Sequence, residues 1–303
     1  MHAKSIALLA ALTLSLACQA AEPTESYPID YERVSAVGER FGLAIKWKQV
    51  TSRVVRVKDK ITENEHGGYS FEFAAQAEVT AVSASKQPEI MKYTVTKFIQ
   101  LYDDGLAPLD LLPPGSKLTQ DTSNGKNAFV LEGGELAPEI LRTLEIIVTH
   151  DVHSGLQTSV YGTTAKKKVG EKWPAVAKAA AADMTEQGQQ VDEKDITGST
   201  TLLDVVKING FECLKLQSHL QVKNIKPKNQ WPDMTFKSVE LTIRQDVALP
   251  LDTSKSWMQF TSRIEQKAAL EGKTPQGEAT TMEIQSVFTG DTQREYSAAG
   301  ERK

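Results

Sequence analysis

The sequence predicts a mainly β protein of the α+β type, in which two antiparallel β-meanders of long strands are separated by one or two helices. Two observations lead to this prediction. Apolar and polar residues alternate over long stretches on both sides of the middle of the chain, which places the apolar side chains on one face of each strand. Between these stretches the apolar residues follow the helical period instead. Strands that are apolar on one face need a cover, so we expect a curved sheet, a half-barrel or a sandwich.

Residues 37–132 form the first predicted meander. The apolar residues that share a face in its strands are Leu43, Ile45 and Trp47, then Phe71, Phe73, Ala75, Ala77, Val79 and Ala81, and then Met91, Tyr93 and Val95. Turns are predicted at His66-Gly-Gly68 and at Asp103-Asp-Gly105, because glycine and aspartate favour the backbone angles of turns.

Residues 196–290 form the second predicted meander. Asn209-Gly210 lies between two β-prone runs, and this dipeptide is a strong signal for a two-residue hairpin. The apolar residues on the shared faces are Leu214, Leu216, Leu220 and Val222, then Val239, Leu241, Ile243 and Val247, then Met258, Phe260, Ile264 and Ala268, and then Met282, Ile284 and Phe288. A turn is predicted at Thr274-Pro-Gln-Gly277. Together the two meanders predict eight to ten strands.

Residues 133–195 break the period of two. Over 137–149, Ile140, Leu144, Ile147 and Val148 follow helical spacing, and Pro138 lies in the first turn, where its missing N–H is tolerated.

A second helix is predicted to begin at Pro174 and to end at Gly188. Its apolar face is thin and consists of Val176, Ala180 and Met184, so we expect this helix to lie on a surface.

The N-terminus has the features of an export signal. Lys4 is followed by an apolar run over residues 6–17, which is shorter than the roughly 18 apolar residues of a membrane-spanning helix. Cleavage after Ala20 would release the chain, whereas a lipoprotein peptidase would cut before Cys18 and leave a lipid anchor on it. Ser15 stands where the lipoprotein signal favours Leu, and this slightly favours cleavage after Ala20 and release of the chain. The predicted location is the periplasm or the extracellular space, with a membrane tether if Cys18 is lipidated.

These patterns divide the chain into segments. The predicted segments are a signal peptide at 1–20 (1–17 for a lipoprotein), a linker at 21–36, one β-rich domain at 37–290 with halves 37–132 and 196–290 joined by a helical segment at 133–195, and a flexible tail at 291–303.

Composition excludes several classes of function. The chain has 35 basic and 39 acidic residues, so it lacks the basic excess with which proteins bind nucleic acid. Its two cysteines are Cys18 and Cys213, and removal or lipidation of Cys18 leaves no internal disulfide. No other window is apolar and long enough for a transmembrane helix.

One cluster of side chains in the sequence has weak potential for metal-dependent chemistry. His150, Asp151 and His153 have side chains that bind zinc or another divalent ion. They follow the end of the first predicted helix, where histidines also complement the helix dipole, so a polar turn is the favoured interpretation. Cys213 is a lone thiol on a strand and is interpreted as a packing residue, not as a nucleophile. The sequence therefore predicts no enzyme and no cofactor.

Two short motifs carry a resemblance to a known group of proteins. Val169, Gly170, Glu171 and Trp173 match a V-G-D/E-x-W motif, and Asn209-Gly210 lies in a strand pair that follows it. In these features the chain resembles an uncharacterised family of secreted or lipoprotein-type bacterial envelope proteins with two β-rich halves. The resemblance implies an export address and a shape, and it implies structural roles for the motif residues. It implies no activity.

Two functional hypotheses follow. The first is a non-catalytic envelope protein that binds a lipophilic small molecule in a cleft of a curved sheet, since long strands under a helical lid resemble the architecture of periplasmic lipoprotein carriers. The second is a structural or protein-interaction domain, with an envelope protein as its partner and no ligand cavity. A metal-dependent enzyme is the least favoured alternative. A sizeable apolar cavity under the 137–149 helix would favour the carrier.

Overall fold

The structure is a computed structural model that describes residues 25–103, 105–148, 158–227 and 233–296. It is mainly β, with 59% strand and 11% helix, which confirms the predicted fold class. In chain order its elements are β1 (Arg40–Val57), β2 (Lys60–Val82), β3 (Pro88–Tyr102), β4 (Leu109–Asp110), β5 (Lys117–Asp121), β6 (Ala128–Leu131), α1 (Pro138–Ile147), α2 (Thr158–Tyr161), β7 (Lys172–Pro174), α3 (Ala177–Glu186), β8 (Gln189–Gln190), a 3₁₀ turn (Glu193–Asp195), β9 (Ile196–Ile208), β10 (Phe211–Val222), β11 (Lys226–Pro227), β12 (Met234–Pro250), β13 (Gln259–Lys273) and β14 (Ala279–Tyr296).

Twelve of these strands form one antiparallel sheet that is not closed. Its order is β6-β5-β3-β2-β1-β14-β13-β12-β10-β9-β7, and β4 pairs with β3 outside this path. The first strand and the last strand are neighbours, from Phe41 opposite Tyr296 to Val57 opposite Thr280. The two predicted meanders are therefore joined edge to edge through β1 and β14 into one sheet.

The number of strands exceeds the eight to ten that the alternation predicts. The described residues contain 14 strands, of which six have only two to five residues. Strands this short span at most two periods of alternation, which is too little to give a clear signal in the sequence.

The turn predicted at His66-Gly-Gly68 is wrong, because these residues lie inside β2. The chain reverses instead at Lys58 and Asp59, whose φ angles are 47° and 64°. Two successive positive φ angles match the twist of a two-residue hairpin. Gly68 has a different role: a Cβ at this position would lie 2.5 Å from Oδ2 of Asp103 and 2.9 Å from the carbonyl oxygen of Gln49.

The other predicted turns are found. Asn209 and Gly210 connect β9 to β10 with φ angles of 48° and 88°. Gly277 has a φ of 81°, and its N–H donates to the carbonyl oxygen of Thr274 at 2.8 Å between β13 and β14. Of the turn predicted at Asp103-Asp-Gly105, Asp104 lies outside the described residues, while β3 ends at Tyr102 and Gly105 has a φ of 80°.

One face of the main sheet packs against both apolar cores, and we call it the inner face. In β1, β2 and β3 it carries the residues that the alternation predicts, except Ala81, which is half-buried at a register shift between β2 and β3. Side chains of α1 belong to the same core. Leu144, Ile147 and Val148 are 0%, 1% and 0% exposed and belong to the first core. The helix predicted over 137–149 is confirmed as Pro138–Ile147.

The second predicted helix begins later than expected and lies over a core. Trp173 and Pro174 belong to β7, where they pair with Thr200 and Ser199, so α3 begins only at Ala177. Because the ring of Trp173 is large, its burial against the sheet stabilises the protein more than a place in the first turn of the helix would. Gly188, with a φ of 80°, follows the helix end as predicted. Ala180, Ala181 and Met184 are buried against the second core.

Both ends of the β-rich region are more ordered than the sequence predicts. Residues 25–36, expected as part of a linker, bury Ile29 and Tyr31 in the second core. The tail predicted to begin at residue 291 contains the last six residues of β14, in which Arg294 and Tyr296 are 6% and 7% exposed. Pairing with β1 explains this order, because each polar residue in this stretch has a backbone partner.

Candidate ligand-binding cavity

A cavity of about 350 Å³ lies between the two short helices α2 and α3 and the inner face of β10, β12 and β13. Its apolar lining consists of Val160 and Tyr161 of α2, Ala180 and Met184 of α3, and Leu220, Leu241, Ile243 and Ile264 of the strands. Leu241, Ile243 and Ile264 have the same alternation as buried core residues but are only half-buried. Leu241 and Ile243 pack against the second core on one side, and the cavity leaves part of all three side chains exposed.

A row of polar residues crosses the inner face at the inner end of this cavity. Thr200, Ser218, Gln245 and Ser262 lie opposite one another on β9, β10, β12 and β13. The hydroxyl oxygens of Thr200 and Ser218 are 2.9 Å apart and share one hydrogen bond.

Gln245 and Ser262 both line the cavity. Gln245 is 6% exposed, and its Oε1 is buried without a hydrogen-bond partner among the described residues. A buried acceptor without a donor is costly, and a donor group of a ligand would relieve this cost.

The charge of the cavity is low. Among the described residues that line it there is no Lys, Arg or His, and the one carboxylate belongs to Asp183 at the rim. This carboxylate accepts a hydrogen bond from Nε2 of Gln187 at 3.0 Å. Burial raises the pKa of Tyr161, so its phenol stays neutral at physiological pH. The cavity therefore suits an uncharged apolar group better than an ion.

The apolar surface continues beyond the cavity along the inner face. Ile243 lies opposite Ile264, which lies opposite Phe288 of β14. The ring of Phe288 is 6.1 Å from that of Trp47, and the ring of Trp47 is 5.7 Å from that of Tyr69. Phe288 and Tyr69 are half-buried. A strip of aromatic and aliphatic side chains, partly exposed except for the buried Trp47, thus leads from the cavity towards β2.

The V-G-E-x-W residues position the helical wall of the cavity. Gly170 has a φ of 88° and donates its N–H to the carbonyl oxygen of Leu202 at 2.7 Å, and Oε2 of Glu171 accepts from the N–H of Lys168 at 2.6 Å. Trp173 is 5% exposed, and its Nε1 donates to the carbonyl oxygen of Tyr161 at 2.8 Å.

Val169, the first residue of this motif, packs against the second core. The motif anchors α2 to the sheet and does not itself line the cavity.

Asn209 and Gly210 lie away from the cavity. The residues that flank this turn, Ile208 and Phe211, pack against the first core together with Cys213. Cys213 is 0% exposed and is a free thiol, and burial raises its pKa to about 11. A neutral, inaccessible thiol is a poor nucleophile, so Cys213 contributes packing at this position.

The remaining predicted candidates do not form a site in the part of the chain that is described. His150, Asp151, His153 and Cys18 all lie outside the described residues. Within those residues no group of three or more His, Cys, Asp or Glu side chains could hold a metal ion. In the same ranges no helix has the length and apolar character needed to cross a membrane.

Sequence reasoning missed the cavity and α2. The helix has only four residues, which is too short for a helical period to be visible. A signal for the cavity does exist in β12, where Gln245 interrupts an inner-face series that otherwise runs Val239, Leu241, Ile243 and Val247. A polar residue in an apolar register is a useful indication of a site.

Comparison with known proteins identifies no relative in sequence: no family model matches the chain, and no curated protein does. Among solved structures it is similar to one described as lipid–protein interactions in lipovitellin, with a TM-score of 0.36 and 7% identity over 88% of this chain and 26% of that chain. It is also similar to Pseudomonas aeruginosa OpdQ, with a TM-score of 0.24 and 6% identity over 84% of this chain and 98% of that one.

A third similar structure is the outer membrane protein OprG from Pseudomonas aeruginosa, with a TM-score of 0.17 and 6% identity over 87% of this chain and 99% of that chain. This chain spans about a quarter of the length of the lipovitellin chain. The TM-scores are too low for any of these likenesses to support a conclusion about function.

Proposed function

We propose that this chain is a non-catalytic extracytoplasmic protein that binds a lipophilic small molecule in the cavity beneath α2 and α3. The observation that carries the proposal is the lining: eight apolar side chains surround about 350 Å³, and the buried Gln245 supplies a polar contact at the inner end. Ligand sites are typically apolar concavities with a few placed polar groups.

The dimensions and charge of the cavity limit the ligand. A volume of about 350 Å³ is near the lower end of the roughly 300–1,000 Å³ that small-molecule sites span, which favours a single apolar chain or a small ring system over a two-chain lipid. The absence of a cation among the described lining residues favours an uncharged polar end, such as a hydroxyl or an amide, beside Gln245.

The predicted export signal supports the extracytoplasmic part of the proposal. Residues 1–20 lie outside the described residues, so this support rests on the sequence pattern alone. The resemblance to secreted envelope proteins points to the same location.

Two measurements on the purified full-length chain test the proposal. Organic extraction followed by mass spectrometry should recover a lipophilic compound in stoichiometric amount, and the extracted protein should bind an uncharged solvatochromic dye such as Nile red. Ile243→Trp fills the cavity and should weaken dye binding at least tenfold. Thr242→Trp places the same ring on the opposite face of β12 and should leave the affinity within about twofold of the original value, because side chains alternate across a strand.

Two results would contradict the proposal. One is protein that is empty in several preparations and does not bind the dye. The other is equal binding by the Ile243→Trp and Thr242→Trp variants, which would place the dye elsewhere. Either result favours the alternative of a structural or protein-interaction domain.

A further inference from the structure

An apolar lane on the inner face of the sheet continues the cavity beneath α2 and α3. We use this name for Leu220, Ile243, Ile264 and Phe288, which lie opposite one another on β10, β12, β13 and β14. The first three of these residues line the cavity, whereas Phe288 lies one strand beyond it. Ile243, Ile264 and Phe288 are half-buried, so a ligand that covers them removes apolar surface from water.

The residues that border the lane on β13 and β14 are not apolar. On β13 its neighbours on the same face are Ser262 and Gln266, and on β14 they are Gly290 and Ser286. Residues on the same face of a strand lie about 7 Å apart, so the lane is one side chain wide. A strip of this width fits one hydrocarbon chain and is too narrow for two chains side by side.

The lane ends at a group of hydrogen-bonded polar side chains. Gln49 of β1 lies opposite Phe288, and its Oε1 accepts from the hydroxyl of Tyr69 at 3.0 Å. Nε2 of Gln49 donates to Oγ1 of Thr51 at 3.2 Å, and this oxygen is 3.3 Å from Oγ of Ser286. An apolar chain that covered these groups would exclude water from them without making a hydrogen bond. The polar group therefore sets the far limit of the lane.

The lane begins beside Gln245, which follows Ile243 on the inner face of β12. The buried Oε1 of Gln245 has no hydrogen-bond partner among the described residues, so a donor at one end of a ligand would pair with it. From Ile243 to Gln49 the lane crosses three gaps between strands, which makes about 14 Å at roughly 4.8 Å per gap. An extended hydrocarbon chain advances roughly 1.25 Å per carbon, so about 11 carbons span this distance.

We infer that the ligand of the cavity is a single-chain amphiphile, with a hydrogen-bond donor at Gln245 and an unbranched tail of about 10 to 12 carbons along the lane. None of the four lane residues or of their four neighbours on β13 and β14 is charged, which favours a hydroxyl over a charged group as the polar end. The inference rests on the proposed function and deepens it, because it names the class of ligand and the path of its tail.

Competition by straight-chain alcohols against Nile red on the full-length chain tests the inference. Hexanol is short enough to fit within the cavity, whereas decanol and dodecanol also need the lane. We expect the affinity to rise about twofold for each added methylene from hexanol to dodecanol, because each one covers apolar surface of the lane. Tetradecanol should bind no more tightly than dodecanol, since its additional carbons reach the polar group.

Three variants test the path of the tail. Phe288→Gln places a polar side chain in the lane and should weaken dodecanol binding about fivefold, while hexanol binding stays within about twofold of the original value. Val287→Gln makes a similar change on the opposite face of β14 and should leave both affinities within about twofold. Gln49→Leu extends the apolar floor by one strand, so tetradecanol should then bind more tightly than dodecanol.

The outcomes separate this inference from the proposed function. If Nile red binds and Ile243→Trp weakens its binding, but the affinity for the alcohols does not depend on chain length or keeps rising past dodecanol, the cavity has a ligand whose tail does not follow the lane. Equal effects of Phe288→Gln and Val287→Gln on dodecanol binding overturn the inference in the same way. If Phe288→Gln folds poorly, an unchanged length dependence in Gln49→Leu has this meaning instead. If neither the dye nor any alcohol binds, the proposed function fails together with the inference.

Discussion

Gln245 occupies a strand position at which the alternation predicts an apolar side chain. Its inner-face neighbours Ile243 and Val247 are apolar, and its buried Oε1 has no partner among the described residues. Gln245→Met should therefore raise the free energy of unfolding of the ligand-free protein by about 1 kcal/mol, because it removes an unsatisfied acceptor. Urea denaturation measures this change. Gln285→Met, at an exposed position of β14, is the control and should change it by less than about 0.5 kcal/mol.

The buried thiol of Cys213 should make the free energy of unfolding depend on pH. Burial raises its pKa from 9.0 to about 11, so the folded protein holds the thiol proton over a range in which the unfolded chain releases it. The contribution of this thiol to stability is therefore complete below about pH 9 and is lost as the pH rises towards 11. We expect the free energy of unfolding to fall across this window, and Cys213→Ala to reduce the slope. An unchanged slope in the variant would assign the decline to other groups.

At the scale of elements, the β9–β10 hairpin depends on the backbone of its turn. Gly210 has a φ of 88°, and a Cβ there would meet no atom within 4 Å, so any cost of Gly210→Ala is conformational. We expect a loss of about 1 kcal/mol in the free energy of unfolding, because an L side chain disfavours this backbone region. Gly67→Ala also has open space but lies inside β2 without a positive φ, and it should be neutral or slightly stabilising.

The wall formed by α2 depends on Trp173. Trp173→Phe removes the hydrogen bond from Nε1 to the carbonyl oxygen of Tyr161 and leaves that buried acceptor unpaired. We expect a loss of about 1–2 kcal/mol in stability and faster dissociation of a bound dye. Trp47→Phe makes the same change of ring in the first core. If both variants release the dye at the same rate, the hydrogen bond of Trp173 does not hold the wall of the cavity.

At the scale of the whole molecule, the pairing of β1 with β14 links the two halves of the chain. Seventeen residue pairs connect these strands, so the meanders share a continuous backbone ladder. We expect both halves to unfold in one cooperative transition. Variants that keep only Trp47 or only Trp173 report on the two halves separately, and in each variant the fluorescence transition in urea should coincide with the transition in far-UV circular dichroism, which reports on the whole sheet. Two separate midpoints would indicate that the halves unfold independently.

Particular residues show how far the sequence alone reaches. The burial of Leu43, Phe73 and Leu216 follows directly from alternation, because the strand period is a local property of the backbone. The hairpin at Asn209-Gly210 follows from the local preference of these residues for positive φ. The sequence does not predict the turn at Lys58-Asp59, because the His66-Gly-Gly68 signal for a turn is stronger locally. In the structure Gly68 instead allows the close approach of another strand.

The sequence by itself determined the β class, the two meanders and the helix α1, since each depends on periodicity and turn chemistry within a short stretch of chain. Only the tertiary structure decided that β1 pairs with β14, and that Ile243 and Ile264 border a cavity while Val247 lies in the core. These outcomes depend on contacts between residues that are distant in the chain. Alternation specifies which face of a strand is apolar, and the path of the whole sheet decides what covers that face.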